Sequence, residues 1–306
     1  MWFKNLCLFQ FPESFTLAPA ALEEALGAHP LGDCPGGSAQ TQGWVPVLTD
    51  GGLVEGVDRH LFIAYGEKQR LLPGSVVTQA LAEKVEHFTA SRGYKPGRKQ
   101  RMEMREELTA QLLPQAFVVQ KSCRAWIDSE RGWLVVDAAS LNQAEKLVEL
   151  LREHAPELPR IILPDTSVGT QTLMTEWLGR GEAPGRFSLD DEAEVQGTDA
   201  TKSLIRYSRM PVGSATELRR HLESGKRAVK LGLSWDDRLN FVLTEMLQLK
   251  RLKLLETQAE DDAVREDDPR LAFETDMRLM TGLLREVLAD LGRELGMRGP
   301  AISVAA

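Results

Sequence analysis

The chain has 306 residues, is 42% apolar and 27% charged, and carries a formal net charge of −8. That length suits one large domain or two ordinary ones, and that composition is a soluble globular protein's. It excludes a membrane span, because no apolar run approaches the roughly 20 residues a bilayer requires.

In chain order, residues 2–9 have β character and end at Pro12. The opening segment is too short and too interrupted for a signal peptide. Residues 18–28 read as a short helix and residues 32–43 as a Gly-rich loop. Strands are expected over 43–48 and 60–65, the second alternating Leu61, Ile63 and Tyr65. Val76, Val77, Leu81, Val85 and Phe88 recur at helical spacing, which predicts a helix over 74–91. The Gly93–Gly97 stretch, GYKPG, breaks it, and a second helix runs over 98–113 to Pro114. The pair forms a hairpin over about 74–113 with a basic, exposed tip.

Residues 116–127 and 132–136 read as paired strands around the turn 129–131. An amphipathic helix follows over 140–154, with Ser140 as its cap. A short strand at 161–163 and a helix at 168–178 come next. The polar stretch 179–201 reads as a linker or an edge hairpin. A basic strand at 203–210 precedes a helix at 214–222, with Ser214 as cap and Glu217 completing a capping box. Strands are expected at 228–235 and 239–243, then an alternation of Leu and basic residues over 247–255. A closing helix from Pro269 to about residue 295 should bury Leu279, Leu283, Leu284, Val287, Leu288 and Leu291. Strands and helices mix without regular βαβ alternation, so the fold class is α+β. We divide it into an N-terminal α+β region, 1–164, and a C-terminal one, 165–306. No internal repeat is visible.

Charge is segregated along the chain. Residues 92–102 hold Arg92, Lys95, Arg98, Lys99 and Arg101 and no acid. Residues 201–230 hold Lys202, Arg206, Arg209, Arg219, Arg220, Lys226, Arg227 and Lys230 against only Glu217 and Glu223. The acid is concentrated over 256–268. Such segregation makes a local positive field on a protein that otherwise repels polyanions. Glu103, Glu106 and Glu107 can neutralise Lys99, Arg101 and Arg105 at helical spacing. Arg92, Lys95 and Arg98 have no acid near in sequence, and the second region also lacks local partners. Charge alone leaves two readings open: a polyanion surface and a solvated basic face.

Motifs for other chemistry are missing. The sequence has no P-loop, GxGxxG, GxSxG or HExxH pattern, and His29, His60, His87, His154 and His221 show no ligand spacing and read as surface residues. Cys7, Cys34 and Cys123 form no CxxC pair, which argues against a disulfide framework or a zinc site and fits a reducing cytoplasm. No cofactor is expected. Asp261, Asp262, Asp267 and Asp268 are the one group of carboxylates that suggests Mg²⁺-dependent nuclease chemistry, although a polar loop is a poor frame for it. A third reading is a cytosolic adaptor whose basic patches dock an acidic protein.

Several fragments are similar to the bacterial recombination-associated RdgC family. They are MWFKNL at residues 1–6, LPGSVV at 72–77, PGRK at 96–99, LLPQAF at 112–117, LSW at 233–235, FVL at 241–243, LKRL at 249–252, and Asp276 with LMTG at 279–282. They fall in order along nearly the whole chain, while 165–199 and 297–306 depart from the family. The resemblance implies an elongated, curved subunit and a ring-shaped homodimer that encloses double-stranded DNA without sequence preference. It further implies a brake on the RecA recombinase, a cytoplasmic, nucleoid-associated location and no enzymatic activity. Single-stranded DNA stays open as a ligand. On that reading Arg92, Lys95, Arg98, Lys99 and Arg101 hold phosphates from the tip. Arg206, Arg209, Arg219, Arg220, Lys226 and Arg227 line the rest, and Phe117 closes a gate between subunits. Phe117 reads equally as a core residue at a strand start.

Overall fold

Eleven antiparallel strands form one continuous sheet in the computed structural model, which describes residues 2–255 and 268–299. In chain order the strands and helices are β1 (Leu6–Gln10), α1 (Pro19–Gly27), β2 (Gln40–Val45), β3 (Val54–Val57), β4 (His60–Leu71), α2 (Gly74–Arg92) and α3 (Arg98–Leu112). There follow β5 (Phe117–Asp128), β6 (Trp133–Asp137), α4 (Leu141–His154), α5 (Thr170–Arg180), β7 (Phe187–Gln196) and β8 (Leu204–Ser208). The chain closes with α6 (Thr216–Glu223), β9 (Arg227–Trp235), β10 (Leu239–Thr244), β11 (Gln248–Leu254) and α7 (Pro269–Leu295). The sheet order is β2-β4-β5-β6-β1-β11-β10-β9-β7-β8, and β3 pairs with β4. This is the expected α+β mixture. No helix among the described residues is long and apolar enough to cross a membrane.

Alternation along the strands sorts the core onto two faces. Leu6 and Leu8 of β1, Trp126 of β5 and Val135 of β6 join one cluster with α5 and α7. Cys7, Phe9, Ile127 and Val136 join the other with α1 and α4. The first cluster extends under β7 to β11 through Leu231, Leu233, Phe241 and Leu249. The second contains no residue of those five strands. Among the described residues, the C-terminal half of the sheet is therefore covered by a core cluster on one face only.

Helix α7 buckles the two halves together. Arg285 grips the fully buried Asp128 carboxylate with Nε–Oδ2 2.6 Å and Nη2–Oδ1 2.8 Å, at the β5–β6 turn. Asp290 accepts from Arg186 Nε at 2.7 Å and from Trp235 Nε1 at 3.0 Å, beside β7 and on β9.

Several expectations are corrected. Val54–Val57 is a strand that four residues containing Gly56 did not reveal. Residues 161–163 contribute only a bridge between Ile162 and Gln10. Of the two readings for residues 179–201 the linker fails and the edge hairpin holds: they supply β7, which pairs with β8 at the sheet edge and with β9 inside it. Ser214 does not cap α6; it lies in a 3-10 turn, donates to the Pro211 carbonyl and leaves Ala215 as the N-cap. Ser140 does cap α4, accepting from the Gln143 amide. Leu279 is exposed on α7, whereas Leu283, Leu284, Val287, Leu288 and Leu291 are buried. His60 is no surface residue: it is buried edge-on to Trp126, and burial pushes its pKa down. His154 stacks on His29 and accepts a hydrogen bond from the Trp44 indole.

Candidate nucleic-acid interface

The basic tip sits on an arm. The outer halves of β4 and β5 extend as a ribbon, and the first six residues of β5 are exposed. The ribbon carries α2 and α3, which pack chiefly on each other; α2 buries only Val77 and α3 buries nothing. Gly93 ends α2 in the left-handed conformation, φ 77°, which suits a residue without Cβ. Tyr94 packs edge-on to Phe88 across the turn, and Lys84 binds Glu107 at 2.6 Å to join the two helices.

Arg92, Lys95, Arg98, Lys99 and Arg101 are all exposed here. Arg92, Lys95, Arg98 and Arg101 have no ion-pair partner among the described residues; Lys99 has only a 4.0 Å contact with Glu103. The local neutralisation read from sequence thus fails for Arg101, and Glu107 turns to Lys84 instead. Three of these cations, Arg98, Lys99 and Arg101, occupy the first turn of α3, which contains no acid. A helix N-terminus is itself positive, so cations there oppose the macrodipole by a few tenths of a kcal/mol each. An arrangement that costs stability and finds no internal partner is suited to an external anion.

The second basic region behaves differently. An open concavity of about 700 Å³ lies on the uncovered sheet face, lined by Arg206, Arg209, Lys230, Lys250 and Arg251 together with Asp191, Glu192 and Glu194. Arg206 and Lys230 share Glu194, at 2.7 Å and 2.9 Å, so the region does have partners after all, supplied by β7. Burial pushes the Glu194 carboxyl up, but the Lys230 and Arg206 contacts outweigh it and hold its pKa below the usual range. Arg251 pairs with Glu192.

Arg219, Arg220, Lys226 and Arg227 do not line this concavity. Arg219 donates to the Gly213 carbonyl and Lys226 to the Ser203 hydroxyl. Lys250 and Arg251, which sequence reasoning did not select, do line it. A bulge explains both: the β10–β11 register shifts between Asn240 and Val242, and Arg251 takes φ 55°. Two consecutive residues of β11 then serve the same side, which strict alternation cannot show.

Phe117 opens β5 directly opposite Leu71 and is 86% exposed, so it is not a core residue of its own subunit. Leu71, Val118 and Val119 around it are exposed as well. Asp261, Asp262 and Asp267 lie outside the described residues. Asp268 caps α7, accepting from the Arg270 amide at 2.8 Å. Among the described residues no group of three His, Cys, Asp or Glu is placed to hold a metal ion.

The chain as a whole is similar to known proteins. The family model described as "Putative exonuclease, RdgC" matches residues 1–298. The recombination-associated protein RdgC of Dechloromonas aromatica is 40% identical over 301 residues, covering 97% of this chain and 98% of its own. The protein of the same name from Ralstonia nicotianae is 38% identical over 303 residues, covering 97% and 96%. That from Herminiimonas arsenicoxydans is 37% identical over 301 residues, covering 97% and 98%.

Proposed function

The chain belongs to the RdgC family, and from that premise we propose that it binds DNA without sequence preference as a homodimeric ring that limits access of the RecA recombinase. Its relatives' shared name ties the family to recombination. The observation that carries the DNA reading is the tip. Cations without internal partners stand on an arm that buries almost nothing, on a protein of net charge −8. Contacts from Lys and Arg to phosphate position a protein without reading bases, which fits an interface with no recognition helix. Lys95, Arg98, Lys99 and Arg101 act as the primary phosphate contacts, with Arg92 beside them. Arg206 and Arg209 act from the sheet face, and Arg219, Arg220, Lys226 and Arg227 from the neighbouring edge. The two regions, 1–164 and 165–306, contribute one basic surface each. A cytoplasmic protein associated with the nucleoid follows from that ligand.

Salt tests this reading. Each neutralised phosphate on duplex DNA contributes a slope of about −0.9 to log K against log salt. A slope steeper than about −4 is expected, from on the order of five contacts, with equal affinity for unrelated duplexes. A flat response, or strong preference for one sequence, counts against the phosphate-contact reading. An adaptor for an acidic protein would leave DNA unretarded even at low salt.

The ring reading has its own check at Phe117. An aromatic that is 86% exposed in one subunit should cost little stability on truncation, within about 0.5 kcal/mol. Aromatic anchors at interface centres cost about 2 kcal/mol or more. Phe117→Ala should therefore leave the monomer folded, open the arm contact and speed DNA release, chiefly through the off-rate. Cross-linking through a cysteine beside Phe117 reports the contact; absence of any arm-to-arm product removes the gate.

A second reading, exonuclease, is favoured by the description of the matching family model. We favour the non-enzymatic role on the unpartnered cations of the tip; of the four carboxylates in the nuclease reading, Asp268 serves as a helix cap and the other three lie outside the described residues. Shortening of end-labelled DNA by the purified protein with Mg²⁺ decides between them.

A further inference from the structure

We propose that Arg70 and the loop over residues 29–39 form a brace that fixes the angle of the arm, and with it the position of Phe117, relative to the body. The proposal rests on the reading that the arm meets a second copy of this chain. The observations begin with two glycines. Gly43 of β2 and Gly66 of β4 are directly paired. A Cβ on Gly43 would lie 2.6 Å from the Leu31 amide nitrogen, and one on Gly66 would lie 2.7 Å from Leu31 Cδ2. The loop therefore crosses a bed that only paired glycines leave open. It is tied there by the Leu31 amide donating to the Trp44 carbonyl and the Trp44 amide donating to the His29 carbonyl.

Further along, the loop is stitched to the outer half of β4. The Cys34 thiol donates to the Lys68 carbonyl, and the Arg70 amide donates to the Ala39 carbonyl. The Arg70 guanidinium then joins three parts of the chain. Nη2 donates to the Cys34 carbonyl at 3.1 Å; Nη1 donates to the carbonyls of Leu113 at 3.3 Å and Pro114 at 2.8 Å. The last two lie at the C-terminal end of the helical hairpin, where the helix dipole is negative and favours a cation. Three residues later comes Phe117. A planar guanidinium spreads its donors over separate nitrogens and so reaches acceptors on two sides, whereas an ammonium's three donors radiate from one atom.

The sidedness fits the role. Arg70 follows the parity of Gly66 and Lys68 on β4, so the brace occupies that face of the ribbon. Leu71, paired with Phe117, and Val119, paired with Gln69, belong to the opposite face. One face is held by the subunit's own loop, with Val118 opposite Arg70 left exposed on it, while the other presents Leu71, Phe117 and Val119. Arg70 is thus a positioning residue that touches neither DNA nor the partner.

Pulsed electron spin resonance between nitroxides at Met102→Cys on the arm and Ser188→Cys on the body tests this. The three native cysteines are buried. Labelled protein is mixed with excess unlabelled protein, so that the distance read is within one subunit. The wild-type background should give one narrow distance. Arg70→Ala, and independently Gly43→Ala, which lifts the loop, should lose it for a broad distribution, with DNA release accelerated in both. Arg70→Lys should broaden as well, since its ammonium cannot span the two sides. If Arg70→Ala fails to fold, Arg70→Lys carries the test. A distribution as narrow as wild type in the folded Arg70 variants overturns the brace. A broadened arm with unchanged DNA release overturns instead the arm-to-arm reading on which the proposal rests.

Discussion

Replacing Lys95, Arg98 and Lys99 together by glutamate is expected to weaken duplex binding by about 100-fold or more while leaving the protein folded. All three side chains are exposed, and α3 buries no residue. Stability should hold or rise slightly, because acids in the first turn of a helix complement the macrodipole by about 0.3–1 kcal/mol each. Binding should fall for two reasons. Each site loses an attraction of roughly 1 kcal/mol or more as a charged hydrogen bond, and a repulsion replaces it. Three such losses amount to about 3 kcal/mol, a factor of about 100. Gel retardation at fixed salt measures the loss, and thermal melting confirms the fold. A variant that melts normally and binds as tightly as its parent removes the tip from the DNA surface.

Arg285→Ala is the substitution expected to damage the fold most. Its guanidinium is the bidentate partner of Asp128, whose side chain is wholly buried, and it also reaches Glu130 at 2.8 Å. Removing one member of a buried pair leaves an uncompensated charge, which typically costs about 3–5 kcal/mol. Among the described residues the Arg131 amide, at 3.1 Å, still donates to Asp128, and it replaces little of the pair. Urea unfolding should show a lower midpoint with an unchanged slope. The double variant Asp128→Leu with Arg285→Met should cost less than the single change, because no charge is then stranded. A single variant within about 0.5 kcal/mol of wild type would show that the Arg285–Asp128 pair contributes little to holding α7.

How far the sequence could be read depended on how local the cause was. The arm was legible because its determinants are consecutive: apolar spacing over α2, the GYKPG break, and Pro114 after α3. Pro269 and the Leu and Val spacing likewise placed the start of α7 and its approximate end, since helical hydrogen bonds and periodicity both act within four positions. Leu279 was misjudged because it satisfies the spacing yet points beyond the width of the buried stripe.

By itself, then, the sequence determined the α+β class, the hairpin with its basic tip and the kinship with RdgC, all of which rest on neighbouring residues or on ordered fragments. Only the tertiary structure decided which charges are already spent. Glu194 lies 12 residues from Arg206 and 36 from Lys230, and strand pairing brings all three together. Only the tertiary structure placed Lys250 and Arg251 on one side, through a bulge whose register depends on the facing strand β10. Only it showed that Arg70 holds carbonyls 36 residues before it and more than 40 after it. Side-chain charge is a local property of the chain, but its screening and its partners depend on distance in space, and in a sheet that distance is set by register between strands remote in sequence.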